Sequence, residues 1–178
     1  MRGETRRERY FRKLNNVIPI PVSFATIYFR CDENLAFLIR TAACFGIRDI
    51  HVIGSIPSRK DIYSASGSLS DYIQLYQYSN PSEFIAYSRT ENIKLISAEI
   101  KDNSTSLYKY KFNFSEKSII VLGNETAGVP VEIAVNSDIV HVPMLGPGYC
   151  LNTSQTGTAF VTEYTRQYLD GKISEKKL

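Results

Sequence analysis

The stretch SIIVLGNETAGVPVEIAVNSDIVHVPM (118–144) decides the fold. It opens on SIIVLG (118–123), an apolar run of the kind that forms a strand buried on both faces. A Gly-rich turn follows, then VPVEIAVN (129–136), a short helix with Pro130 in its first turn. DIVHVPM (138–144) is again a strand. The same alternation runs outward. SFATIYF (23–29), DIHVIG (49–54), YIQLYQY (72–78) and KLISAEI (94–100) read as strands. NLAFLIRTAACFG (34–46) reads as a helix, because Leu35, Leu38, Ile39, Ala42 and Phe45 recur at helical spacing and Gly46 suits a stop. PSEFIAYSR (81–89) is a short helix. Residues 151–170 form the last one, apolar at Leu151, Ala159, Phe160, Tyr164 and Tyr168. Strands alternating with helices imply an α/β fold, an open, mostly parallel sheet with helices on both faces.

A length of 178 residues suits one domain. Its body is expected over residues 21–170, between a basic N-terminal extension (1–20) and a basic C-terminal tail (171–178). The formal net charge is +3, unevenly spread. Arg2, Arg6, Arg7, Arg9, Arg12 and Lys13 against Glu4 and Glu8 give the first 13 residues +4. Lys172, Lys176 and Lys177 against Glu175 give residues 171–178 +2, which leaves −3 on the stretch between. An acidic body with basic ends argues against a histone-like binder and allows ends that touch a polyanion. No apolar run approaches the ~18 residues of a membrane helix. The N-terminus lacks the apolar core of a secretory signal. Cys31, Cys44 and Cys150 are too few and too scattered for a disulfide framework. With only His51 and His141 as histidines and no CxxC or HExxH, no metal site is expected. A cytoplasmic protein without metal or membrane attachment is the expectation.

The usual nucleotide and hydrolase signatures are missing: GxGxxG after the first strand, GxxxxGK[ST] and GxSxG. In open α/β sheets ligands sit beyond the carboxyl ends of strands, and three segments there carry polar chemistry. In the first, Asp32 or Asn34 can cap a helix whose one internal charge is Arg40. That arginine suits either solvent or an anion clamp. In the second, Gly123 permits close approach of backbone to a ligand, and Glu125 sits on the turn. In the third, a rigid Gly/Pro loop leads to a helix opening on Asn152, Thr153, Ser154 and Gln155. Its residues serve equally as caps or as a ligand-reading first turn. Cys150 alone reads as a small buried hydrophobe.

Together these segments resemble the SpoU/TrmH-type RNA ribose 2′-O-methyltransferases of the SPOUT superfamily, in a minimal single-domain form. The matches are N-L-x-x-x-x-R-T-A-x-x-F-G (Asn34 to Gly46), LGNE-x-x-G-[VL]-P (Leu122 to Pro130), and [IV]-P-M (Val142 to Met144) followed by L-N-x-S (Leu151 to Ser154). Ala65-Ser66-Gly67-Ser68 also resembles a small-residue segment of the family. The resemblance implies S-adenosylmethionine as methyl donor and RNA, a tRNA or an rRNA, as acceptor. It implies a C-terminal deep trefoil knot and a homodimer with the active site at the subunit interface. Ala98, Leu122, Gly123, Val142, Met144, Cys150 and Leu151 would hold the donor, while Arg40, Asn34, Glu125, Asn152 and Ser154 match the family's polar catalytic positions. Arginine is nearly always protonated, so Arg40 is read as clamping a phosphate and stabilising an alkoxide rather than as a base. Cys150 stands where many members have Ser, and Gln155-Thr156 where many have small apolar residues. These departures keep a catalytically inactive knotted RNA-binding protein as the alternative. An unrelated flavodoxin-like nucleotide binder would explain the alternation but not three linked motifs.

Overall fold

The structure, a computed structural model, describes residues 4–5, 8, 11–12, 17–29, 31–67 and 69–175. In chain order these form β1 (Val22–Ile27), α1 (Asp32–Phe45), β2 (Asp49–Ile53), α2 (Arg59–Ser66), a 3-10 turn (Leu69–Tyr72), β3 (Gln74–Tyr78), α3 (Pro81–Thr90), β4 (Lys94–Ala98), β5 (Thr105–Ser106), β6 (Ser118–Leu122), α4 (Val131–Ala134), β7 (Asp138–His141) and α5 (Thr153–Glu175). The seven strands make one sheet in the order β3-β2-β1-β6-β4-β7-β5. Every strand pair in it is parallel.

The apolar run at 118–122 takes the central place because it satisfies both faces, and all five of its residues are buried. Ile120 and Leu122 join Phe24, Leu38, Phe160 and Val161 on one face, under α1, α2 and α5. Ile119 and Val121 join Ala25, Phe84 and Ile133 on the other, under α3 and α4. Leu35, Leu38, Ile39 and Ala42 of α1 are all buried, as their spacing requires. Each of the larger three contributes about 1.5–3 kcal/mol by burial.

Some elements depart from the reading of the sequence. The expected strand at 72–78 begins at Gln74, because Leu69–Tyr72 coils as a 3-10 turn. The last helix starts at Thr153 and runs past residue 170 to Glu175. Helix α2 escapes the periodicity reading because its opening Arg59-Lys60-Asp61 is polar; Ser58 caps it, accepting from the Asp61 N–H. Contrary to the expected Asp32 or Asn34 cap, α1 starts from Cys31 with no side-chain cap. Arg2, Arg6, Arg7, Arg9, Lys13, Ser68, Lys176 and Lys177 lie outside the described residues. Arg12 is exposed and pairs with Glu4 at 2.8 Å.

His51, on β2, is buried on the α3 face of the sheet. Its ring stacks on Tyr76 with centroids 5.1 Å apart, flanked by Tyr78, Phe84 and Tyr87. Its Nδ1 shares a 2.9 Å hydrogen bond with the Tyr78 hydroxyl. Burial pushes the His51 pKa down to about 4, whereas an unfolded chain protonates histidine near 6.5. Between those values the unfolded state binds more protons, so stability falls as pH drops through that window, by about 3 kcal/mol in all. Denaturant titrations at neutral pH and near pH 4.5 should show His51→Phe losing less stability across the interval than the wild type. Equal losses would reject the assignment.

Candidate active site

The carboxyl ends of β4, β6 and β7 and the start of α5 enclose a cleft of about 480 Å³. It lies where open α/β sheets hold ligands. All seven residues expected to hold the donor line it. Ala98 ends β4, Leu122 ends β6, Gly123 begins the turn, Val142 and Met144 follow β7, and Cys150 and Leu151 precede α5.

The turn after β6 holds itself in shape. Asn124 N donates to Gly128 O at 3.0 Å and Gly128 N returns a bond to Asn124 O at 2.9 Å. The Asn124 side-chain oxygen accepts from Thr126 N and Ala127 N, and its amide donates to Tyr28 O at 2.7 Å. The chain therefore doubles back onto Gly123, where an added Cβ would lie 2.4 Å from the Gly128 carbonyl carbon. The close approach that demands glycine here is thus the protein's own backbone as well as the cleft.

Four of the five expected catalytic residues meet in one hydrogen-bonded relay. Ser154 N and Oγ donate to Asn152 Oδ1 at 2.9 and 2.7 Å. Asn152 Nδ2 donates to Asn34 Oδ1 at 3.0 Å. Asn34 Nδ2 donates to Glu125 Oε1 at 2.5 Å. Every donor points toward Glu125, so the relay ends on a carboxylate at the cleft wall, where charge strengthens the last bond. Asn152 serves both roles open to it: it caps α5 through Ser154 N and extends the relay to Asn34. Asn34 is only 5% exposed, so its amide needs these partners.

Arg40 stands apart. It is exposed, about 9 Å further along α1 than Asn34 by helical rise. Its Nη1 lies 2.9 Å from where a Cβ on Gly67 would sit, at a left-handed φ of 65°. The small-residue segment ending α2 thereby leaves room for the guanidinium. Cys150, read as a buried hydrophobe, is exposed. It follows the Gly/Pro loop, where Cβ atoms on Gly146 or Gly148 would meet nothing within 4 Å, and it lines the cleft. Glu99, Lys101, His141 and Thr156 also line the cleft and belong to none of the three motifs, while Asn124 of LGNE and Thr153 of L-N-x-S line it as well. The position of Glu99 just past β4 was its one signal, because ligand sites follow strand ends.

The model of the SpoU rRNA Methylase family matches residues 26–162. The chain belongs to that family. It is 33% identical over 144 residues to the tRNA (guanosine(18)-2'-O)-methyltransferase TARBP1 of Mus musculus, across 78% of this chain and 9% of that protein. It is 21% identical over 136 residues to the tRNA (guanosine(18)-2'-O)-methyltransferase of Escherichia coli K12, across 76% of this chain and 58% of that one. The chain therefore spans little more than half of the bacterial relative and a small part of the mouse one. Its fold matches the AdoMet-bound rRNA methyltransferase from Sinorhizobium meliloti with a TM-score of 0.76 at 23% identity, over 82% of this chain and 56% of that one.

The relay makes a thermodynamic claim. Asn34→Ala and Asn152→Ala should each destabilise the chain by about 1–3 kcal/mol, through an unsatisfied buried amide or a lost cap. The double variant should lose less than the sum by at least about 0.5 kcal/mol, measured in a denaturant cycle. Strict additivity would mean that the two amides do not act as one unit.

Proposed function

We propose that this chain transfers a methyl group from S-adenosylmethionine to a ribose 2′-hydroxyl of a structured RNA, a tRNA or an rRNA. The observation that carries the reading is a relay ending on Glu125 at the wall of a cleft lined by every residue expected to hold the donor. The cleft suits the donor in size, its lining is largely apolar, and Glu99 and Glu125 offer carboxylates beside Lys101 to a ligand that carries both a cationic sulfonium and a carboxylate-bearing tail. Bound S-adenosylmethionine would supply an electrophilic methyl group on a sulfonium. The remaining work falls to the chain. Asn34, Asn152 and Ser154 hold Glu125 in one orientation at the reacting end. Arg40 binds the phosphate beside the target ribose and stabilises the developing alkoxide. Holding the hydroxyl in line with the methyl group supplies much of the remaining acceleration.

The distance of Arg40 from the relay supports a homodimer in which one protomer's Arg40 meets the partner's cleft. Leu145 and Tyr149, next in sequence to the cleft-lining Met144 and Cys150 and both fully exposed, are apolar surface for such an interface. A deep trefoil knot over residues 138–170 is part of the same reading. It draws support from the path of the chain. β7 lies beyond β4, yet α5 returns to pack on α1 and β6.

Tritiated S-adenosylmethionine with unmodified tRNA and rRNA transcripts, followed by mass mapping, should locate a 2′-O-methyl group in one of them. Arg40→Ala should slow transfer by about 100-fold or more while donor affinity holds. Mixing inactive Arg40→Ala with inactive Glu125→Ala should restore part of the activity, because mixed dimers contain one intact composite site. No recovery after subunit exchange would refute the shared site. Deleting residues 1–13 should flatten the salt dependence of RNA binding, each lost phosphate contact lowering the log–log slope by about 0.7–0.9. An unchanged slope would remove the N-terminal extension from the interface.

A further inference from the structure

Glu99 is fixed at the end of the sheet. Its N–H donates to Val140 O at 3.0 Å, continuing the β4–β7 ladder past Ala98. Its carboxylate is held from two sides, with Oε2 accepting from Val129 N at 2.9 Å and Oε1 from Ile100 N at 3.2 Å. Oε2 also occupies the space beside Gly128, where an added Cβ would come within 2.5 Å. The group is therefore immobilised against the same turn that carries Glu125.

Two backbone donors leave acceptor capacity unused. An ionised carboxylate offers about four lone-pair positions, and among the described residues no cation pairs with Glu99. The side chain lines the cleft. A sulfonium has no hydrogen to donate, so the open positions of Glu99 serve a part of the donor other than its reacting centre. The donor's nucleoside carries a vicinal pair of hydroxyls. Two adjacent O–H donors match the two oxygens of one carboxylate, an arrangement in which charge-assisted bonds form as a pair.

We infer that Glu99 is the specificity residue of the cleft, accepting hydrogen bonds from both ribose hydroxyls of the methyl donor. The inference rests on the donor reading of that cleft. It assigns Glu99 a role separate from Glu125: one carboxylate recognises the nucleoside, and the other terminates the relay at the reacting end. The bond to Val129 then gains a second purpose, since it aims the carboxylate as well as closing the turn.

Calorimetry on the full chain with S-adenosylhomocysteine and its 2′-deoxy and 3′-deoxy analogues tests this. The wild type should bind the parent compound and lose about 10- to 100-fold in affinity for each analogue. Glu99→Ala should weaken the parent to the level of the analogues, all three agreeing to within about twofold. Glu99→Gln keeps an acceptor for Val129 N and should narrow the discrimination even if the alanine variant fails to fold. If Glu99 only staples the turn, Glu99→Ala weakens all three compounds equally and discrimination persists, which overturns the inference. Equal binding of all three by the wild type also overturns it. A wild type that binds none of them would instead overturn the donor reading beneath it.

Discussion

One hydrogen bond, from Asn152 Nδ2 to Asn34 Oδ1, joins the residue capping the last helix to the first turn of the first, across 118 residues of chain. A contact of such range costs closure entropy that no local propensity offsets. Core packing offsets it. Leu38 of α1 and Phe160 of α5 share one cluster with Leu122 and Phe24 of the sheet. Thr41 and Thr158 bond across the same helix pair at 3.0 Å. Once these faces are buried, the two amides are brought together, and a buried amide without a partner is costly. The relay thus follows from the hydrophobic core, and its geometry inherits the rigidity of that core.

The cleft inherits the same rigidity from its other side. At the strand ends it is walled by Ala98, Leu122, Val140 and Val142. The Gly123–Gly128 turn is closed by its own backbone, by the Asn124 side chain, and by Glu99 through Val129. Two carboxylates result, each held by donors of fixed position. Preorganised charge of this kind stabilises a cationic ligand without paying for reorientation at the moment of binding.

Much of the architecture was legible because its signals are local. The 118–144 stretch reads as strand, turn, helix and strand, and the structure builds its central strand and most of the cleft from it. The departures arise where the deciding partner is distant or the element is too short. Asn34 resembles a cap because its real partners, Glu125 and Asn152, are distant in sequence. The two-residue β5 is too short for any periodicity. Glu99 carries no motif, and only its place beyond a strand end marks it. Cys150 resembles a core residue by type, but it lies exposed just after the Gly/Pro loop.

Glu99 and Glu125 share the cleft lining with Lys101 and His141, whereas Arg40 is not part of it. A guanidinium about 4 Å from a carboxylate is attracted by about 4 kcal/mol at an effective dielectric of 20. An arginine built into the cleft would be drawn onto Glu99 or Glu125 and would fill the space that a cationic donor needs. A ribose hydroxyl giving up its proton nevertheless needs positive charge nearby. Arg40 lies on the exposed side of α1, with Gly67 leaving room for its guanidinium, outside the lining of its own chain's cleft. On the proposed reading that charge reaches the acceptor only when a second protomer and the RNA phosphate come together. On that same reading, methyl transfer would be conditional on assembly, because the proposed donor-binding carboxylates and the proposed acceptor-binding arginine would meet only between two chains.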